Sequence, residues 1–278
     1  MIKSSLFAFL GLSFFALGGI AQERHSPYFV SYDHYMEELQ ALEIRTDVAV
    51  GQSSGIHTFL GDATEFEYGA TRWWTPEIYV DWQHTAHEGN VFTGFRFENR
   101  FRLFVEPHKI NPVLYLEYEH LNGADKVIKE VLGFDGKDDL AVPNDVTRHE
   151  HRRELEPRLI LSSQIGEWNV TENFIAEKNL KGGPWEFGYT VGLSRPLPKK
   201  FAAGIEMYGG LGTARELTWS GTSHYIAPVF LWTTPGEVTI QVSPGFGLTD
   251  QSLRTIFRVG ISKDIDDIGP RLRKLFHM

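Results

Sequence analysis

The sequence predicts an all-β chain: an antiparallel transmembrane β-barrel of about twelve strands. Three features point to it. Bulky apolar and charged side chains alternate with a two-residue period from 42 to 265, so each strand has one face that leaves water and one that carries charge. Several of these runs reach the roughly 9–11 residues that a tilted membrane strand needs, against about 5–6 in ordinary sheets. A leader precedes them that directs the chain out of the cytoplasm.

The leader reads "MIKSSLFAFLGLSFFALGGIA". Lys3 stands ahead of an apolar stretch over 6–17, and Gly19-Ile20-Ala21 makes a small-residue cleavage site before Gln22. The stretch is too short for a comfortable membrane helix, so 1–21 is expected to be a cleaved signal peptide. The chain contains no cysteine, which removes both a disulfide framework and a lipidated cysteine. A formal charge of -9 argues against a nucleic-acid partner. Beyond the leader no segment is apolar for long enough to span a bilayer as a helix. Membrane residence therefore has to be as a barrel, whose strands look half polar because one face lines a polar lumen.

The strands follow in order. The first spans 42–50, with Leu42, Ile44 and Val48 against Glu43, Arg45 and Asp47. The second, 64–70, sets Phe66 and Tyr68 against Glu65 and Glu67, and the third, 78–82, opposes Ile78, Val80 and Trp82 to Tyr79 and Asp81. The fourth, "TGFRFENRFRLF", puts Phe95, Phe97, Phe101 and Leu103 on one parity and Arg96, Glu98, Arg100 and Arg102 on the other. The fifth and sixth cover 114–119 and 154–161. The seventh, 168–178, is the least regular, because Glu172 and Lys178 share the parity of Val170 and Phe174. The eighth, 185–194, alternates cleanly; 201–207, 225–232, 238–248 and 253–265 complete the set.

An even count places both ends of the barrel on the periplasmic side. The two longest links, 122–149 and 209–222, then lie outside, and the short links at 71–75, 105–112, 164–167, 196–199 and 234–236 lie inside. Long loops outside and short turns inside are a barrel signature. The expected organisation is a signal peptide over 1–21, a periplasmic N-terminal segment over 22–40, the barrel over 41–265 and a periplasmic C-terminal tail over 266–278. Either flanking segment is also placed to plug the lumen.

The stretches "EFEYGATRWWTPEIYVDWQ", "FTGFRFENRFRLF", "INPVLYLEYEHLNGADK", "NFIAEKNL" and "PWEFGYTVGLSRPL" resemble a group of bacterial outer-membrane barrels similar to the broad family labelled "MetA-pathway of phenol degradation". The resemblance covers most of the mature chain. It implies an outer-membrane barrel passing small, and among them aromatic or apolar, compounds; it carries over no catalytic motif. One departure stands out. Barrels of this kind close on a terminal aromatic residue, whereas here "RTIFRVGISKDI" is followed by "DDIGPRLRKLFHM".

The charged parity supplies the candidate site. Glu65, Glu67, Glu77 and Asp81 on strands two and three, Arg96, Glu98, Arg100 and Arg102 on strand four, and Glu117, Glu119, Glu154, Glu156 and Arg158 on strands five and six would line the lumen. Acidic strands flanking an arginine-rich one become cross-strand ion pairs in a closed barrel. That wall reads either as a charged constriction that selects solutes or as a structural filling. The later strands offer Gly188, Thr190, Gly192, Ser194, Gly204, Thr239 and Gln241, and an open path should follow that smoother side.

Other motifs are weaker. Arg148-His149-Glu150-His151 has two same-face histidines but no third ligand fixed by sequence. "DGKDD" lacks calcium-loop spacing and reads as a solvated turn. Asp125 to Gly133 has the caps and apolar side of a short helix. Ser223 and His224 fall on opposite faces and no G-x-S-x-G elbow occurs. Trp73, Trp74, Trp168, Trp185 and Trp232 sit near strand ends, where interfacial girdles belong. No catalytic residue, metal or cofactor is expected. The partners are outer-membrane lipid and an unspecified small solute, and nothing fixes the oligomeric state. The expected function is a passive outer-membrane pore or transporter for small solutes. A non-conducting structural or partner-binding barrel is the alternative, and a soluble periplasmic β-sandwich or lipocalin-like binder the third reading.

Overall fold

The computed structural model describes residues 26–53, 56–126, 132–134 and 136–270. The expected signal peptide, most of the expected helix after Asp125 and the end of the tail lie outside those residues. Twelve long strands account for most of the chain: β1 (Leu42–Ser53), β2 (Ile56–Tyr68), β3 (Trp74–Thr85), β4 (Gly89–Arg102), β5 (Asn111–Asn122), β6 (His151–Ile165), β7 (Trp168–Asn179), β8 (Trp185–Leu197), β9 (Phe201–Thr213), β11 (His224–Thr233), β12 (Val238–Gly247) and β13 (Thr255–Ile265). A two-residue β10 (Glu216–Leu217) extends β9 beyond the ring. Each long strand pairs with the long strands before and after it in the chain, and β13 pairs with β1, so the sheet closes into an antiparallel barrel without edges.

The expected parity is realised. Glu65 and Glu67 are buried while Phe66 between them is exposed; Arg96, Glu98 and Arg100 are buried while Phe97 is exposed. Ile78, Trp82, Leu116, Phe174, Phe230 and Ile261 stand outward on other strands. Together they form an apolar belt far beyond what a soluble monomer leaves uncovered, suited to lipid. Trp74, Trp168, Trp185 and Trp232 fall at strand ends, and Trp74 stacks on Phe101 with ring planes 8° apart. Strand β7 keeps its irregularity: Glu172 points outward between Val170 and Phe174, while Asn169, Thr171 and Asn173 face in.

Several boundaries differ from expectation. The strands start earlier than the cleanest alternation suggested, β2 at Ile56 and β4 at Gly89. The fourth run hides a bulge at Asp81/Trp82 opposite Gly94. Gly94 has φ 151, and a Cβ there would lie 2.1 Å from the carbonyl oxygen of His120, so only glycine fits. Leu103 falls in a link rather than in β4, and β9 runs on to Thr213. Within the "DGKDD" stretch, expected as a turn, Lys137 to Asp139 begin a short helix, α1 (Lys137–Leu140), followed by α2 (Asn144–Thr147).

Both ends of the barrel share one rim with the links 69–73, 103–110, 166–167, 198–200 and 234–237, while 123–150 lies at the other. That longest link folds over its own rim. The Lys137 N–H donates to Gln251 O (2.9 Å), Asn144 Nδ2 to Thr85 Oγ1 (3.1 Å), and Leu140 joins the cluster of Tyr208, Tyr225 and Leu253. At the opposite rim the N-terminal segment turns inward. Residues 26–36 run inside the barrel, where Tyr28, Phe29, Val30, Ser31, Asp33 and His34 are all buried. The segment 22–40 was expected in the periplasm or as a plug of the lumen, and its described residues 26–36 lie in the lumen.

The outward face sets one test. Leu116→Arg places a guanidinium in the middle of β5 on the lipid side and should lower the unfolding free energy in phospholipid vesicles by about 2–4 kcal/mol. An unchanged urea midpoint would mean that this face does not meet hydrocarbon.

Candidate functional site

The ladder register aligns the lumen charges. Glu43 stands opposite Glu67, Glu67 opposite Glu77, Glu77 opposite Glu98, Glu98 opposite Glu117, and Glu117 opposite Glu156. Six glutamates thus form one row across β1 to β6. Like charges directly opposite are destabilising, so the neighbouring rows have to answer them. Two residues along the ladder the opposing order is Arg45, Glu65, Tyr79, Arg96, Glu119 and Glu154. On the other side Arg100, Tyr115 and Arg158 stand in line.

The arginines bridge these rows. Arg96 grips Asp81 with two bonds (3.0 and 3.1 Å) and reaches Glu117 at 3.3 Å. Arg100 binds Glu67, Glu77 (2.6 Å) and Glu98 (3.4 Å), and Arg158 holds Glu156 at 2.9 Å. Tyrosines complete the set. Tyr79 donates to the row (Glu77 at 2.9 Å) and lies under Arg96, with 4.2 Å from guanidinium to ring centre; Tyr115 donates to Glu117. Forked guanidinium pairing and cation–π stacking suit arginine and not lysine.

Not every candidate joins. Arg102 is half-buried at the end of β4 and donates to the Arg72 carbonyl at 2.7 Å. Glu119 and Glu154 converge instead with Glu177 on the outer side of the row, bordering a cavity of about 230 Å³ under the 123–150 link. His149 and His151 are exposed and belong to no ligand cluster among the described residues. Ser223 and His224 bond to different partners: Ser223 Oγ donates to Gln251 O (3.0 Å), and the His224 ring meets Tyr189, Thr222 and Trp219.

The N-terminal segment, expected either in the periplasm or as a plug, lies in the lumen over its described residues 26–36. It occupies the smoother wall, where an open path was expected. Glu206 of β9 accepts the backbone N–H groups of Phe29 (3.2 Å), Val30 (3.1 Å) and Ser31 (3.0 Å). Asn173 Oδ1 accepts Tyr32 N–H (2.7 Å) while its Nδ2 donates to Tyr32 O (2.8 Å), and Arg158 donates to Val30 O (3.2 Å). Gln241 donates to Tyr28 O (2.9 Å). The small wall residues make room: a Cβ on Gly192 would lie 2.7 Å from the Tyr28 ring. Tyr32 reaches across to Glu98 at 2.9 Å and lies under Arg158, at 4.8 Å. Plug and charged wall are therefore one network. Within the plug, burial pushes the Asp33 carboxyl up to about 6 against the lowering pull of the Tyr35 N–H.

The signal in the sequence was "SPYFVSYDHY": a tyrosine-rich, largely uncharged stretch just before the first strand has no reason to lie free in the periplasm.

No family model matches the chain, and no curated protein matches it. Among solved structures it is similar to the KdgM porin in complex with disordered oligogalacturonate, with a TM-score of 0.51 at 11% identity over 80% of this chain and 98% of that one. It also aligns with the NanC porin, at a TM-score of 0.49 and 12% identity over 80% and 98% of the two chains. The likeness to the KdgM porin shows the fold, an outer-membrane barrel. The narrower resemblance to the phenol-degradation family is not confirmed.

Proposed function

We propose that the chain is an outer-membrane channel for small polar solutes whose lumen is shut, in the state described, by its own N-terminal plug. The observation that carries this reading is how the plug is held. Its backbone meets the wall through side chains, Glu206 first among them, and, among the described residues, through no strand ladder, so it can leave without breaking the barrel. The arginines Arg96, Arg100 and Arg158, with their carboxylates, would then set the charge and bore of the opened path. The lining speaks for polar cargo. The larger cavity is bordered chiefly by charged and other polar side chains, Asp81, Arg96, Glu119, Arg152 and Glu177 among them, which leaves the aromatic or apolar cargo implied by the resemblance without support. Oligogalacturonate, bound by the similar KdgM porin, is one oligosaccharide against which to test uptake.

The same closure favours the second reading, a barrel that never conducts. Swelling of liposomes containing the chain without residues 22–36 separates the two. Entry of small sugars and amino acids through that variant supports the channel. No entry through a barrel shown to be inserted and heat-modifiable supports the structural role.

A further inference from the structure

Buried carboxylates converge at several places in the lumen, and one such group borders the cavity beside the plug. On β1 and β2, one oxygen each of Glu43, Glu65 and Glu67 lie within 4.8 Å of one another, and these residues are only 8%, 6% and 6% exposed. Two guanidinium groups border the same cavity, and both are engaged: Arg45 bonds Asp47 at 2.9 Å, and Arg100 is shared among Glu67, Glu77 and Glu98. Arg45 also faces Glu65 across the ladder and Ser262 meets Glu43, but among the described residues no ion pair within 4.0 Å reaches Glu43 or Glu65. From the plug, Glu37 adds a further carboxylate beside Glu43. Burying so many acids around a small cavity is costly unless a cation or protons answer them.

Acids alone would leave that choice open, and the plug supplies a second observation. Ser31 is 4% exposed and lines the same cavity of about 100 Å³. Its hydroxyl oxygen has no hydrogen-bond partner among the described residues. The backbone beneath it is fixed, because the Ser31 N–H donates to Glu206 at 3.0 Å. A buried hydroxyl left without a partner is destabilising. A hard divalent cation answers both features, since it takes roughly six to eight oxygen ligands, carboxylate and neutral together. The cavity has room for the ion with part of its water shell.

We propose that Glu43, Glu65 and Glu67 of the barrel wall, with Ser31 of the plug, bind a divalent cation that ties the plug to the wall. The site stands whether or not the barrel conducts. Its consequence, that the cation helps to keep the channel shut, rests on the channel reading above.

Calorimetric titration of the refolded mature protein in an uncharged detergent with Ca²⁺, and separately with Mg²⁺, tests the site. The expected result is one divalent cation per barrel, with affinity reduced by about tenfold or more in Glu65→Gln and measurably in Ser31→Ala. Ser31→Ala alters no barrel strand, so it reports on the site even where Glu65→Gln fails to give a heat-modifiable barrel. Failure of the wild type to bind either ion at millimolar concentration overturns the proposal, and so does binding that both variants leave unchanged. Loss of binding in Glu65→Gln with full binding in Ser31→Ala would put the ion on the wall alone and overturn the tie to the plug. Binding as expected in a barrel that conducts under no condition would remove the channel reading and leave the site standing.

Discussion

Arg100→Ala will lower the unfolding free energy of the barrel by about 3–5 kcal/mol, the range found when one partner of a buried ion pair is removed. Arg100 has a side chain only 7% exposed and binds three carboxylates, Glu67, Glu77 and Glu98. Those three stand directly opposite one another on β2, β3 and β4. Without the guanidinium, three adjacent acids face one another in a lumen closed to bulk water. Arg100→Lys will cost less, because it keeps the charge and loses the fork that serves several acceptors. Reversible urea unfolding in detergent or vesicles reads both. A loss below about 1 kcal/mol for Arg100→Ala would match a solvated surface pair and mean that the lumen is wet and screened.

The second large effect is on the plug. Glu206→Ala removes the acceptor of three consecutive backbone N–H groups, those of Phe29, Val30 and Ser31. Charge-assisted hydrogen bonds are about twice as strong as neutral ones, and each buried donor left without an acceptor costs about 1–3 kcal/mol. The plug therefore cannot keep its course past β9. Amide hydrogen exchange of 29–31 will speed up by orders of magnitude, while exchange in the β1–β13 ladder stays slow. Glu206→Gln retains one carbonyl acceptor and will fall between. Uniform acceleration across plug and barrel would show that Glu206 supports the barrel rather than the plug.

These two residues also mark what the sequence made legible. Strand parity was open to reading because lipid and lumen impose opposite polarity on alternate residues, so Arg100 and Glu98 could be assigned to the inner face from "FRFENRFRLF" alone. Their partners could not. Pairing depends on register, and register passes through bulges at Gly51/Ser53, Asp81/Trp82 and Phe187/Gly188 that no alternation reveals. The glutamate row from Glu43 to Glu156 is therefore visible only in the folded ladder. Glu206 fell on the inner parity of β9 but among small residues, and its role depends on a segment that meets it across 175 to 177 positions of sequence. Arg102 misled for a different reason: it has the right parity but sits where β4 ends, and a main-chain carbonyl captures it.

The most direct measurement is single-channel recording in planar bilayers of the mature chain beside Glu206→Ala, both shown to be inserted and heat-modifiable. A channel shut by its own plug predicts a nearly silent mature chain and discrete conductance steps from the variant. Steady open conductance from the mature chain, or silence from both, would contradict it.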